Sequence, residues 1–273
     1  MPRGPRLDVP GVLHHVTVRG AGGRRIFLDA ADREDLLRRL EALSCEGCWR
    51  IYAWALLPNH AHLLLRTVSL SLSRCMRRLL TGYAGAYNRR HKRRGPLFSS
   101  RYKSVVVEEE PYFLELVRYI HLNPLRLRLV RDLEGLRTYP YTGHRALCGA
   151  APCPWQDTRG VLERLPGAEE EARRRYERFV AEGAGQGRRP ELQGGGLVRS
   201  VGGWRALRAL RQRGGPCAGD ERVLGAVRFV EQLREARARH AQAEAARQCE
   251  SLTLEGLAAR VGGLFGIPPE AVL

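Results

Sequence analysis

The chain has 273 residues, of which 44% are hydrophobic and 27% charged, the make-up of a folded globular protein and not of a disordered one. No apolar run approaches about 18 residues, so no membrane span is expected, and the basic start Met1-Pro2-Arg3 is not followed by the apolar stretch of a secretory signal. Lys and Arg number 46 against 29 Asp and Glu, a formal net charge of +17; so basic a protein is expected to meet a polyanion, most often nucleic acid.

Residues 12–20 alternate and are rich in β-branched side chains, which predicts a strand ending at Gly20. Asp29 is placed to cap a helix over 30–44, whose Leu36, Leu37, Leu40 and Leu43 recur at helical spacing. Residues 48–57 and 60–68 read as strands joined by a Pro58-Asn59 turn, and hence as a hairpin. Residues 71–90 are helical by period, 91–96 form a basic turn, and 104–108, with Val105, Val106 and Val107, form a short buried strand. Pro111 suits the first turn of a helix running to about Leu122, which Asn123-Pro124 ends. The order β-α-β-β-α-β-α predicts an α+β, ferredoxin-like antiparallel sheet with packed helices.

Beyond residue 150 the composition changes. The prolines and glycines of 151–167 read as a linker, 168–182 as a charged helix, 183–203 as a glycine-rich flexible stretch, and 220–250 and 252–273 as a mainly helical C-terminal region. The expected organisation is a catalytic domain over 1–150, a linker and helical region over 151–219, and a helical region over 220–273. The 7 cysteines are an odd number, which fits free thiols and a cytoplasmic protein. The lone pair Cys45 and Cys48 has no second pair at zinc-site spacing, so no structural zinc is expected.

Two constellations carry chemistry. In Pro58-Asn59-His60-Ala61-His62, strand geometry puts His60 and His62 on one face, where two neutral imidazoles can chelate a cation. In Tyr119-Ile120-His121-Leu122-Asn123-Pro124, Tyr119 and Asn123 stand one helical turn apart, so a phenol and an amide share a face. On the residues alone each has a plainer reading: a solvated histidine pair, and a packed ring followed by a helix cap. Asparagine occurs only at Asn59, Asn88 and Asn123, and each falls within a stretch singled out here. His14 and His15 lie on the first strand, one of them near the expected sheet centre.

These stretches, together with Pro10 to Val16, Arg19-Gly20, Tyr87 to His91 and Gly95-Pro96-Leu97-Phe98, stand in one order and spacing. On them the first 145 or so residues resemble the HUH single-tyrosine transposases, most of all the REP-associated tyrosine transposase branch. The resemblance implies an enzyme that nicks and rejoins single-stranded DNA at hairpins through a 5′-phosphotyrosine intermediate. It implies Tyr119 as the catalytic nucleophile and His60, His62 and Asn123 as ligands of Mg²⁺ or Mn²⁺. The chain would act as a monomer or homodimer on DNA hairpins, away from membranes.

A dense basic patch of Arg89, Arg90, Lys92, Arg93 and Arg94, followed by Arg101 and Lys103, is expected to line the DNA path. Tyr83 and Tyr87, one helical turn apart, are expected to stack on bases, with helix packing the plainer reading. Either is also a rival nucleophile. The segments Asp220–Gly225 and Thr253–Glu270 resemble the lead-in to the helix-turn-helix domain of bacterial replication initiators, read here as an incomplete one. The charge alone also fits a second function, a non-catalytic hairpin-binding protein.

Overall fold

The computed structural model of the chain describes residues 7, 9–99, 101–187, 189, 192, 222–251 and 254–271. Strands and helices follow the expected order: β1 (Leu13–Arg19), α1 (Ala30–Cys45), β2 (Trp49–Leu57), β3 (His60–Thr67), α2 (Leu72–Arg90), β4 (Lys103–Val107) and α3 (Glu109–His121). Short helices α4 (Asn123–Arg126), α5 (Leu133–Thr138), α6 (His144–Leu147) and α7 (Thr158–Leu162) lead to α8 (Glu169–Glu182). The two-residue strand β5 (Val223–Leu224) precedes α9 (Val227–Ser251) and α10 (Leu254–Phe265). Two compact units result, residues 1–230 and 231–273.

The sheet runs β2-β3-β1-β4-β5. Its first four strands pair antiparallel, as in a ferredoxin-like fold. Val223 and Leu224, expected within a helical region, instead pair parallel with Val106 and Val107, so the sheet is mixed. Helix α1 starts where sequence chemistry puts it, because the Asp29 carboxylate accepts from the Asp32 N–H at 2.9 Å.

Strand alternation divides the interior in two. Val16, Val18, Ala61, Leu63 and Leu65 point to the face covered by α1 and α2, where Leu36, Leu40, Leu79 and Tyr83 pack on them. Leu13, Leu64, Val105 and Val107 point to the opposite face, covered by Phe113, Leu116, Tyr119 and Ile120 of α3 and by Tyr176 and Val180 of α8. His60 and His62 fall on this second face, opposite Ala61 and Leu63, as expected.

Residues 151–167, read from composition as a linker, contribute to this interior: Val161 and Leu162 are buried in it. Gln156 reaches the outer edge of β2. Its amide accepts from Trp54 Nε1 at 3.0 Å and donates to the Tyr52 carbonyl at 3.0 Å. Tyr141 adds a backbone bond from the Leu56 N–H at 2.9 Å, so the chain after α5 covers an edge that would otherwise be open to pairing. Among the described residues no helix is long and apolar enough to cross a membrane.

Candidate active site

The site lies at the centre of the sheet, on the α3 face. β1 and β3 pair so that Thr17 stands opposite His62, and Arg19 opposite His60. His60 and His62, two residues apart on β3, bring their ring centroids to 5.1 Å. His15 stacks on His62 at 5.2 Å, with its Nε2 3.0 Å from His62 Nδ1. Tyr119 comes down from α3 edge-on to both, 6.0 Å from His62 and 6.2 Å from His15. Three imidazoles and one phenol from three elements thus share one buried surface.

Burial sets the protonation of the cluster. It pushes the His15 pKa down to about 4. It does the same to His60, with help from Arg19. It holds His62 well below the ordinary histidine value, with His15, His60 and Arg19 adding repulsion. All three are neutral at pH 7, the form in which imidazole lends a lone pair to a metal. Two neutral imidazoles on one strand face are donors that a divalent cation such as Mn²⁺ accepts.

Asn123 begins α4 just after α3. Its amide nitrogen donates to the carbonyls of Tyr119 at 2.9 Å and Ile120 at 3.2 Å. The residue therefore ties down the end of the helix that carries the phenol, through bonds that use its amide nitrogen and not its Oδ1. The outer side of that helix end is held by α8. Tyr176 OH lies 2.7 Å from both His121 Nδ1 and His144 Nδ1, and Arg118 donates to the Phe179 carbonyl at 3.2 Å.

Two residues at the site escaped the sequence reading of its roles. His15 meets His62 only through strand pairing; the residue two places on from a hydrophobic Leu13 was its one signal. Arg126 lies over the Tyr119 ring with its guanidinium carbon 5.2 Å from the centroid and bonds the Tyr119 carbonyl at 3.1 Å. Its spacing of two helical turns from Tyr119 was legible, but the break between α3 and α4 hid which way it pointed.

The two tyrosines expected to stack on bases do not reach solvent, and that expectation is corrected. Tyr83 and Tyr87 are 0% and 1% exposed, buried in the interior beneath α1 and α2. The Tyr83 hydroxyl donates to the Ile26 carbonyl, and that of Tyr87 to Arg25 at 3.4 Å. A ring with no open face cannot receive a base. Both also lie on the sheet face opposite the histidines, which removes them as rival nucleophiles. Burial pushes the Tyr83 phenol far above its ordinary range and the Tyr87 phenol upward as well.

The basic patch is at the surface. Arg89, Arg90, Lys92, Arg94, Arg101 and Lys103 are exposed and Arg93 half-buried. Arg90 is committed in part to an ion pair with the buried Asp32, which also takes the Leu28 N–H at 2.8 Å and His91 Nε2 at 2.9 Å. Asp29, Asp32 and His91 are spaced as metal ligands could be. Asp32 is already satisfied by Arg90, His91 and a backbone N–H, and Asp29 by the helix it caps, so the group reads as a structural anchor for α1 and α2. Among the described residues, Cys45, Cys48, Cys75, Cys148 and Cys153 form no disulfide.

The antiparallel strands of the sheet thus carry paired histidines that face a helix-borne tyrosine. Residues 11–123, which contain all of these side chains, match the family described as "Transposase IS200 like". A solved structure, a REP-associated tyrosine transposase bound to a REP hairpin, is similar at 17% identity and a TM-score of 0.47, over 57% of this chain and 90% of that one. No curated protein matches the chain.

Proposed function

We propose that this chain is a transposase, a metal-dependent enzyme that nicks and rejoins single-stranded DNA at hairpins through a phosphotyrosine link to Tyr119. The observation that carries the reading is the edge-on approach of Tyr119 to His62 and His15, with centroids 6.0 and 6.2 Å apart. A nucleophile and a pair of metal-competent imidazoles from separate elements share one surface. That is the arrangement covalent phosphoryl transfer needs.

His60 and His62, with Asn123 Oδ1, are the residues that would hold the cation. Bound there, a Mg²⁺ or Mn²⁺ polarises the scissile phosphate and orients it for in-line attack. The Tyr119 oxygen forms a bond to phosphorus as the P–O3′ bond breaks. The phenol gives up its proton and the 3′ oxygen gains one. A second 3′-OH then attacks the same phosphorus, the bond to Tyr119 breaks, and the phenol is regenerated, so no outside energy source is required. Arg126, over the Tyr119 ring, favours the anion that develops on the phenol. Arg89, Lys92, Arg94, Arg101 and Lys103 offer cations to the DNA backbone, where phosphate contacts supply most of the affinity. The free thiols fit action in a reducing cytoplasm.

The test is a denaturing gel of the full chain incubated with Mn²⁺ and a single-stranded DNA hairpin carrying flanking sequence. A covalent protein–DNA adduct that maps to Tyr119 is the expected result. Cleavage without an adduct would make water the nucleophile. Binding without cleavage would leave a hairpin-binding protein, the second function that the charge allows.

A further inference from the structure

Asn59, in the turn between the two histidine-bearing positions and the preceding strand, is one of the few asparagines in the chain, yet no role in the reaction above falls to it. Its amide orientation follows from its partners. Nδ2 donates to the Gly23 carbonyl at 3.2 Å, and a carbonyl can only accept. Oδ1 therefore faces His60 Nδ1, 2.6 Å away. The loop that presents Gly23 is pinned to the same turn: the Gly20 N–H donates to the Asn59 carbonyl at 2.9 Å and the Ile26 N–H to that of Pro58 at 2.9 Å. Gly20 admits nothing larger, because a Cβ there would lie 2.0 Å from the Arg24 carbonyl oxygen. Gly23 itself sits at φ +74°, a backbone that side chains rarely adopt.

His62 is held from the other side. His15 Nδ1 faces the Leu192 carbonyl at 3.2 Å, so that nitrogen carries the proton. With that proton on Nδ1, the Nε2 of the neutral imidazole keeps a lone pair. That lone pair faces His62 Nδ1 at 3.0 Å, so His62 Nδ1 must donate. Thr17 Oγ1, 3.3 Å from the same nitrogen, is a second acceptor for it. The proton direction thus runs one way, from His62 to His15 to the Leu192 carbonyl.

We propose that Asn59 and His15 are positioning residues that fix His60 and His62 as Nδ1–H tautomers, so that both imidazoles keep the Nε2 lone pair for a divalent cation. The hydrogen-bond chain stands on the metal-free protein; only its last step rests on the metal reading above. A donor locked in place before the cation arrives loses no tautomer or rotamer freedom on binding, and outer partners of this kind commonly govern metal affinity.

The test uses the full chain labelled with ¹⁵N-histidine, metal-free at pH 7, with two-bond ¹H–¹⁵N correlation of the imidazole rings to assign each tautomer. His60 and His62 are expected as Nδ1–H, and His15 as Nδ1–H. Asn59→Ala should move His60 toward the Nε2–H form, leave His62 unchanged, and weaken Mn²⁺ binding by titration about 10–100-fold. Asn59→Asp, which keeps an acceptor at the same place, should retain the His60 tautomer. Asn59 lies in a turn, so these variants test the idea even if His15→Gln fails to fold. An Nε2–H tautomer for His60 or His62 in the parent overturns the proposal. So does an Asn59→Ala variant with the parent's tautomers and Mn²⁺ affinity. Nδ1–H tautomers in a parent that binds no Mn²⁺ would uphold the hydrogen-bond chain and overturn the metal step, together with the metal reading on which it rests.

Discussion

The Tyr119 ring stands perpendicular to the His62 imidazole, at an interplanar angle of 88°, with 6.0 Å between centroids. One residue comes from α3 and the other from β3, and nothing local to either sequence stretch sets that distance. It is set by the packing of α3 on the sheet and by the hold of α8 on its outer face.

Tyr119→Phe removes one oxygen and keeps the ring that packs on the sheet. The variant is expected to fold, to bind hairpin DNA and Mn²⁺ like the parent, and to form no covalent adduct. Tyr83→Phe loses a bond to the Ile26 carbonyl, a cost of about 1 kcal/mol in stability, and should keep the adduct. An adduct on Tyr119→Phe, seen by gel and peptide mapping, would sink the choice of nucleophile.

Replacing His60 or His62 by Ala should abolish cation-dependent cleavage while most DNA affinity survives, because exposed arginines far outnumber the histidines as contacts for phosphate. Circular dichroism checks the fold, and a gel shift separates binding from cleavage. Full cleavage by the double variant would remove the cation from this site.

Arg126 places its guanidinium 5.2 Å from the centroid of the Tyr119 ring. Arg126→Gln should slow adduct formation about tenfold, which corresponds to roughly 1.4 kcal/mol, within the range of a partly buried cation–π contact. Arg126→Lys should recover part of the rate. Single-turnover kinetics at saturating DNA check this, since a loss confined to DNA affinity would leave that rate unchanged.

Five histidines, four buried and His60 half-buried, make stability depend on pH. Burial lowers His15, His60 and His144 to about 4 and holds His62 and His121 well below the ordinary value. The unfolded chain, with histidines near 6.5, then binds more protons than the folded one as pH falls from about 6.5 toward 4. Stability is therefore complete above about 6.5 and is lost as pH falls through that window, by up to about 1.4 kcal/mol per pH unit for each histidine. Urea unfolding at pH 7.5, 6 and 5 measures the slope; a flat profile would mean that these rings are charged or solvated when folded.

Cutting the chain after Ala150 would strip Gln156 from the edge of β2 and Val161, Leu162, Tyr176 and Val180 from the α3 face. That fragment is expected to be insoluble or to bind the dye ANS, whereas one ending at Val230, the limit of the first compact unit, should stay folded. Within the full chain, Tyr176→Phe leaves His121 and His144 without their shared hydroxyl and should cost about 1–3 kcal/mol. Size-exclusion chromatography and thermal unfolding read both.

Much of this was legible in the sequence, for local reasons. Apolar runs bounded by Gly, Pro and Asn placed β1, β2, β3 and β4 within a residue or two, because each strand buries both of its faces. The period of two put His60 and His62 on one face and Ala61 and Leu63 on the other. The cap at Asp29 and the stop at Asn123-Pro124 bounded α1 and α3. The ordered motifs carried the resemblance, and they fall within residues 10–124, around the segment 11–123 that matches the family model. What the sequence could not settle was whatever depends on which element lies against which. Spacing made Tyr83 and Tyr87 look like a stacking platform, but the same face of α2 is the one that packs on α1, so both rings are buried. Composition made 151–167 look like a linker, yet Gln156 and Val161 close an edge and a face that the first strands leave open. His15 joins His62, and Arg126 joins Tyr119, only because antiparallel pairing and the α3–α4 break bring them there. A side chain's period says which face it takes; the partner on that face belongs to the tertiary structure, since it comes from elsewhere in the chain.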